Sequence, residues 1–307
     1  MGVTPDVRLP RRRLLGGLAG MTALAGLAAC GRAPAPDPGI TVPPTRPGTP
    51  GTQRLSYGPD PAQYGVLHLP PGDTGDLPVV VVVHGGYWQA AYGLELGTPL
   101  AVDLTNHGVA AWNVEYRRVG AGGGWPSTFT DVATAVDLLP GTVQKAAAQR
   151  LDLDRVVFLG HSAGGQLAVW AASRERLDAG APGADPQVRP VGTVSQAGVL
   201  DLVAGATQGL GGGAVAQLLG GTPDQVADRY ALASPTALVP AAAPVVCVHG
   251  DVDGTVPLDQ SQRYVTAATA ARGDARLRVL PGADHFAVID PDHAAWAAVR
   301  GEVEGLL

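Results

Sequence analysis

The sequence predicts an α/β fold with a mostly parallel central sheet and helices on both faces, and three observations carry that prediction. Val79 to Val83 is a run of five valines after Pro78, the pattern of a strand buried on both faces. Short apolar runs then alternate with longer helix-like stretches, the order that strand-helix-strand units produce. The third observation is bulk: the chain has 307 residues, 46% hydrophobic and 16% charged. That is enough to bury one large core, and α/β folds often reach about 250 residues as a single domain.

The N-terminal region reads as an address. Arg8 and Arg11 to Arg13 precede Leu14 to Ala29, a 16-residue run rich in Ala, Gly and Leu that ends at Leu27-Ala28-Ala29-Cys30. This is a signal-peptide layout, expected to occupy residues 1–29. The run is broken by four glycines and is shorter than the roughly 20 residues that a spanning helix needs. The small residues before Cys30 resemble a bacterial lipobox, which implies cleavage there and acylation of Cys30. Arg11-Arg12-Arg13-Leu14-Leu15 resembles a twin-arginine pattern, with Pro10 in place of the usual hydroxyl residue. Acyl chains on Cys30 would hold the protein at the outer face of the cell membrane, with secretion as the alternative. Residues 30–54 follow as a linker: seven prolines and four glycines lie between Gly31 and Arg54, a stiff, extended composition.

From residue 55 to 307 the pattern predicts one domain without internal repeats. Strand candidates are Val79 to Val83, Val109 to Tyr116, Val156 to Leu159, Val191 to Ser195, Val245 to Val248 and Leu277 to Leu280, with Gln63 to Leu69 as an antiparallel edge. Helical stretches are expected around Leu94 to Asn106, Thr130 to Gln149, Gly164 to Arg176, Pro223 to Ala231, Leu258 to Ala271 and His293 to Leu307. From Cys30 onward 17 basic residues face 26 acidic ones, so the body lacks the basic footprint that nucleic-acid binding requires. Two cysteines, Cys30 and Cys247, cannot form a disulfide framework.

The sharpest chemical motif is Gly160-His161-Ser162-Ala163-Gly164, set between a predicted strand and a predicted helix. That context makes it a nucleophile elbow, in which a tight turn lifts the serine hydroxyl above the sheet. Glycines two positions either side let neighbouring backbone pass where a Cβ would clash. His84-Gly85-Gly86-Tyr87-Trp88 follows the valine strand in the position of an oxyanion loop, with the N–H of Gly86 or Tyr87 and that of Ala163 as expected donors. None of the seven histidines has metal-ligand spacing, so no metal and no cofactor is expected.

A serine nucleophile needs a base, and the base an orienting acid. His285 is the expected base, because Gly282-Ala283-Asp284-His285-Phe286 lies between the last strand and the last helix. His249 and His161 are read as structural, and His68, His107 and His293 have no catalytic context. The loop after Val245 to His249 offers Asp251 and Asp253 as acids, with Asp201 a third candidate. The order serine, acid, histidine along the chain is that of α/β-hydrolases.

On these motifs the chain from about Leu55 onward resembles an α/β-hydrolase of the esterase and lipase branch. His84 to Trp88 is similar to the His-Gly-Gly-x-Trp loop of kynurenine formamidases and of hydrolases acting on sugar or xylan esters. Tyr116-Arg117-Arg118, Trp125-Pro126 with Asp131, and Trp296 fit as well. The family's His-Gly-x-x-Asp-x-x-Val-Pro string falls on His249, Gly250, Asp253, Val256 and Pro257, so the resemblance selects Asp253 over Asp251. It implies a serine esterase with Ser162, Asp253 and His285 as its catalytic residues. An arylformamidase-like amidase and a non-catalytic lipoprotein with a hydrolase fold are the alternatives. Trp88, Trp125 and Phe286 are expected around the substrate, together with Tyr87. The glycine-rich segment Val203 to Gly221, where relatives carry cap elements, predicts a shallow pocket for short acyl groups. The expected partners are thus a small-molecule ester and, through Cys30, a membrane.

Overall fold

The computed structural model describes residues 51–307; the expected signal peptide, Cys30 and the linker up to residue 50 lie outside the described residues. The described part contains one eight-stranded sheet in the order β1-β2-β4-β3-β5-β6-β7-β8. The strands are β1 (Thr52–Ser56), β2 (Tyr64–His68), β3 (Leu77–Val83), β4 (Ala110–Val114), β5 (Leu151–His161), β6 (Gly192–Gln196), β7 (Val245–Gly250) and β8 (Ala275–Leu280). From β4 through β8 every neighbouring pair is parallel, while β1 with β2 and β2 with β4 are antiparallel.

Alternation of side chains along β3 distributes the valine run between two layers. Val79, Val81 and Val83 join the cluster of Phe129, Val132 and Val136 on α2 (Ser127–Asp137) and Leu167 and Trp170 on α4 (Ala163–Ala172). Val80 and Val82 join Leu100 and Leu104 on α1 (Thr98–Asn106) and Trp296 and Val299 on α9 (Ala294–Glu304). Each buried valine contributes about 2 kcal/mol. Helix α4 is buried on every side, which explains its lack of a polar face.

Four differences from the sequence expectation have physical causes. The edge is β1, not β2: Arg54, expected in the linker, lies over the Tyr64 ring at 3.5 Å, so the paired chain begins at Thr52. The helix expected over 130–149 ends at Asp137, because Pro140 lacks an N–H; a wide turn, Leu139–Val143, and a short α3 (Gln144–Ala146) complete the stretch. The helix expected from Pro223 starts later, as α7 (Ala227–Ala233). The segment 203–221, read as glycine-rich and assigned no element, is helical. It forms α5 (Leu202–Thr207) and α6 (Leu210–Leu219), whose buried Leu202, Val215, Leu218 and Leu219 join the larger core cluster. Gly211, Gly212 and Gly213 are all left-handed there, which offsets the helical part of α6 from its start. α8 (Asp259–Ala270) packs Tyr264 and Ala268 on Val245 and Cys247 of β7.

The chain steps from β3 to β4 on one side and then to β5 on the other, so the crevice between β3 and β5 is a topological switch point. Ligands of open α/β sheets bind outside the carboxyl ends of strands at such a point. Val83 is in register with Gly160, which brings the loops after β3 and β5 together.

That meeting point tolerates no extra atom. A Cβ at Gly164 would lie 2.1 Å from the Val83 carbonyl oxygen. Gly164→Ala should therefore cost about 3 kcal/mol by overpacking, the upper end of the usual range. Gly301→Ala, in an open position on α9, should gain up to about 1 kcal/mol from helix propensity. Urea unfolding of the two variants checks the contrast, and equal effects would contradict it.

Candidate active site

Ser162 stands between the end of β5 and the start of α4 with φ 55° and ψ −116°. This is the left-handed side of the map, costing a non-glycine residue about 1–3 kcal/mol. The surrounding chain holds it there: the Ser162 N–H donates to Gln196 O at 2.8 Å, and its carbonyl accepts from Gln166 and Val199. A Cβ at Gly160 would sit 2.1 Å from the Gly164 carbonyl oxygen. Glycine on both sides of the serine thus follows from close backbone approach.

The loop after β3 lies directly against this turn. A Cβ on Gly85 would come within 3.2 Å of Ser162 Cβ. Gly86, Tyr87 and Trp88 all have positive φ, and the N–H groups of Gly86, Tyr87 and Ala163 have no acceptor among the described residues. Donors left unpaired beside a nucleophile are what a developing oxyanion requires.

A buried charged group anchors this loop. Glu115, at the end of β4, accepts from His84 Nε2 at 2.9 Å, from Tyr116 N–H at 2.9 Å and from Leu94 N–H at 3.0 Å, with Arg118 Nη1 at 3.3 Å. Burial raises its proton affinity, but His84 and Arg118 outweigh that and hold the carboxyl below the usual range. His84 stacks on Tyr116 at 4.4 Å, and its Nδ1 is 2.7 Å from Gly85 O. In the sequence Glu115 is one residue of the predicted strand Val109 to Tyr116, with no role assigned. Its signal was an acid between Val114 and Tyr116 at the end of a buried strand, where a charge demands a partner.

Asp253 and His285, the expected acid and base, are brought together. His285 Nδ1 donates to Asp253 Oδ2 at 2.7 Å, with both side chains buried. Asp253 Oδ1 accepts from the N–H groups of Thr255 and Val256, each at 2.8 Å. Burial pushes the Asp253 carboxyl up, but hydrogen bonds from His249 and His285 and the backbone donors outweigh it and hold it far below the ordinary carboxylate range. Asp251 is exposed and accepts from Gly282 N–H at 2.6 Å, and Asp201 caps α5; neither touches His285. His285 reaches the elbow through His161, whose Nε2 donates to His285 O at 2.9 Å and whose ring lies 4.5 Å from that of His285. No Ser162 Oγ to His285 Nε2 hydrogen bond occurs among the described contacts, and in free hydrolases that contact often forms only with substrate.

The expected pocket residues separate. Trp88 is fully buried and donates through Nε1 to Gln166 Oε1 at 3.0 Å, so it belongs to the core. Its backbone is left-handed, with φ 56°. Trp125 is half-buried, packed edge-on against Phe129. Phe286 is half-buried and edge-on to His285 at 5.3 Å. Tyr87 is half-buried; its hydroxyl donates to Thr255 O at 3.2 Å, and a Cβ on Gly211 would strike its ring. Among the described residues no group of three or more His, Cys, Asp or Glu is placed to hold a metal ion, and no helix is long and apolar enough to cross a membrane.

With this geometry in view, residues 66–267 match the BD-FAE family. The chain belongs to that family. It is 27% identical over 257 residues to esterase LipC of Mycobacterium tuberculosis (strain ATCC 25618 / H37Rv), an alignment covering 78% of this chain but only 60% of LipC. It is 26% identical over 232 residues to kynurenine formamidase of Salmo salar, covering 73% of this chain and 71% of that enzyme. The fold is also that of a bifunctional GH43-CE protein of Bacteroides eggerthii, with TM-score 0.69, 22% identity, and 83% of this chain aligned to 35% of that one. A butyrate-bound esterase of Thermogutta terrifontis, Est2, aligns with TM-score 0.65 and 21% identity over 84% of this chain and 94% of its own.

Burial also sets the acid limit of the fold. It pushes His161 down to about 3, with neighbouring His285 adding to the effect, and His68 down to about 4, both from 6.5. Above pH 6.5 these rings are neutral in both folded and unfolded chains. Below it the unfolded chain takes up protons that the native state refuses, so stability falls with pH by up to about 1.4 kcal/mol per unit for each histidine. The urea midpoint should fall clearly between pH 7 and pH 5, and His68→Leu should lessen that fall. Equal midpoints at the two pH values would contradict the neutral burial of these rings.

Proposed function

We propose that the protein is a serine carboxylic-ester hydrolase that removes short acyl groups through an acyl-enzyme. The observation that carries this reading is the left-handed Ser162 at a strand-to-helix turn, backed by the His285–Asp253 pair. Ser162 Oγ attacks the ester carbonyl while His285 Nε2 takes its proton. The N–H groups of Ala163 and of Gly86 or Tyr87 donate to the oxyanion. Collapse expels the alcohol, which receives that proton from His285. Water, deprotonated by the same nitrogen, then attacks the acyl-enzyme and releases the carboxylic acid and Ser162. Asp253 keeps His285 in the Nδ1–H tautomer and stabilises its transient charge. This chemistry needs no cofactor.

Ser162→Ala should lower kcat/KM for p-nitrophenyl acetate by at least about 10³-fold with little change in thermal unfolding. Asp253→Asn should cost far more activity than Asp251→Asn. In the parent enzyme, kcat/KM should rise with pH across the ordinary histidine range, about pH 6 to 7. Activity of Ser162→Ala within tenfold of the parent, or a flat profile from pH 5 to 8, would contradict the mechanism.

The short-acyl preference is supported by the cap. Leu202 of α5 and Val215, Leu218 and Leu219 of α6 are buried in the core, and the Tyr87 ring occupies the space over Gly211. A buried methylene gains about 0.8 kcal/mol only where apolar wall awaits it. Rates on p-nitrophenyl esters should accordingly peak from acetate to butyrate, with a fall beyond about six carbons. The half-buried Tyr87, Trp125 and Phe286 suit an acetylated saccharide or aryl ester as leaving group. Similarity to kynurenine formamidase supports a second reading, an amidase of the arylformamidase type. Faster turnover of N-formylkynurenine than of any ester would establish that reading, and an optimum on C12 to C16 chains would exclude the short-acyl one.

The Arg-rich N-terminus and the small residues before Cys30 support export and lipid anchoring at the membrane's outer face. Cys30→Ser should abolish sedimentation with membranes. Unchanged sedimentation would argue against the anchor.

A further inference from the structure

Behind the catalytic acid lies a second histidine that the mechanism above does not use. His249, at the end of β7, is fully buried. Its Nε2 is 3.0 Å from the carbonyl oxygen of Val256 and 3.4 Å from Asp253 Oδ2. Both are acceptors, so Nε2 carries the hydrogen. Its Nδ1 lies 2.8 Å from Ser261 Oγ on α8; in the neutral ring that nitrogen accepts the serine proton. Val256 closes the loop, donating its N–H to Asp253 Oδ1 and offering its carbonyl to His249. One tautomer satisfies every partner, and its polar N–H faces the carboxylate oxygen that also holds His285.

We infer that His249 is a positioning residue for the proposed hydrolase reaction, holding Asp253 in place and sharing the charge of its Oδ2, with Ser261 fixing the imidazole tautomer that does so. The inference rests on the reading of Ser162, Asp253 and His285 as a catalytic set. The shared oxygen has a measurable consequence. A carboxylate oxygen that also faces the His249 N–H, at 3.4 Å, attracts the His285 proton less strongly than one facing His285 alone. Removing the His249 N–H should strengthen that attraction, so the activity limb that reports loss of the His285 proton should move to higher pH.

The other titratable groups packed around this cluster stay silent in that range. His161, on the elbow, is pushed down to about 3 by burial, with His285 adding to it. Cys247 on β7 is pushed up to about 12 by burial, and Tyr264 on α8 lies above the usual phenol range for the same reason. Tyr87, on the oxyanion loop, is raised by burial and by Asp253. These four groups keep one protonation state between pH 5 and 8.

The test is the pH dependence of kcat/KM on p-nitrophenyl acetate for the parent and four variants, with active sites counted by fluorophosphonate labelling. His249→Leu should lower kcat about 10- to 100-fold, leave KM within about twofold, and move the ascending limb up by roughly half a pH unit or more. His249→Gln, whose amide N–H can reach the Nε2 position, should restore most of kcat and the parent midpoint. Ser261→Ala should move the midpoint the same way by less, and Ser261→Thr should not move it. Loss of active sites with an unmoved midpoint in both His249→Leu and Ser261→Ala would overturn the inference, since a merely structural histidine alters only how much enzyme folds. If His249→Leu does not fold, the midpoint of Ser261→Ala decides alone. A parent enzyme that neither labels nor hydrolyses any ester would instead refute the hydrolase reading, a distinct outcome.

Discussion

The left-handed turn at Ser162 is the constraint on which the rest of the site depends. A non-glycine residue stays in that conformation only if its surroundings over-determine it. Here the surroundings are backbone packed against backbone, with Gly164 under the carbonyl of Val83 and Gly165 against Gly198. These approaches draw β3, β5 and the chain after β6 to one point above the sheet. The five-valine strand supplies the apolar adhesion that holds them there, and the parallel register aligns the strand ends that bear the loops.

Two buried carboxylates then anchor the loops that meet at this point. Glu115 secures the loop after β3 through His84, and Asp253 secures His285. Neither is left with an uncompensated charge: each accepts several N–H groups, and each stays ionised despite burial because those donors outweigh desolvation. Removing a partner from such a group leaves desolvated charge behind, which is far more costly than the net worth of one hydrogen bond. The polar atoms of the site are thereby preorganised, which is the condition under which oxyanion donors and a histidine base are effective.

Tyr87 ties these parts to the cap. Its backbone belongs to the oxyanion loop, its hydroxyl reaches the acid loop at Thr255, and its ring rests where Gly211 has no side chain. The loop after β3 is thereby packed on both the acid loop and α6.

Much of this was legible in the sequence. The valine run and the strand-helix alternation determined the parallel sheet, because burial on both faces leaves no other pattern. The Gly-x-Ser-x-Gly turn determined where the nucleophile candidate stands, since its glycines are demanded by local backbone crowding. Chain order placed Asp253 and His285 at successive strand ends. Tertiary structure alone decided what each loop residue faces. Trp88 turned into the core and not the pocket, Glu115 became the anchor of a loop 31 residues earlier in the chain, and the glycine-rich segment 203–221 became two helices because leucines at its ends found core to cover. His249, read as structural, lies 3.4 Å from the Asp253 oxygen that also holds His285. Such contacts join residues far apart in the chain or through tight turns, and periodicity reports which face is apolar but not which distant polar group will meet it. The reason is geometric: burial is written in the spacing of side chains, whereas hydrogen-bond partnership depends on where separate strands end in space.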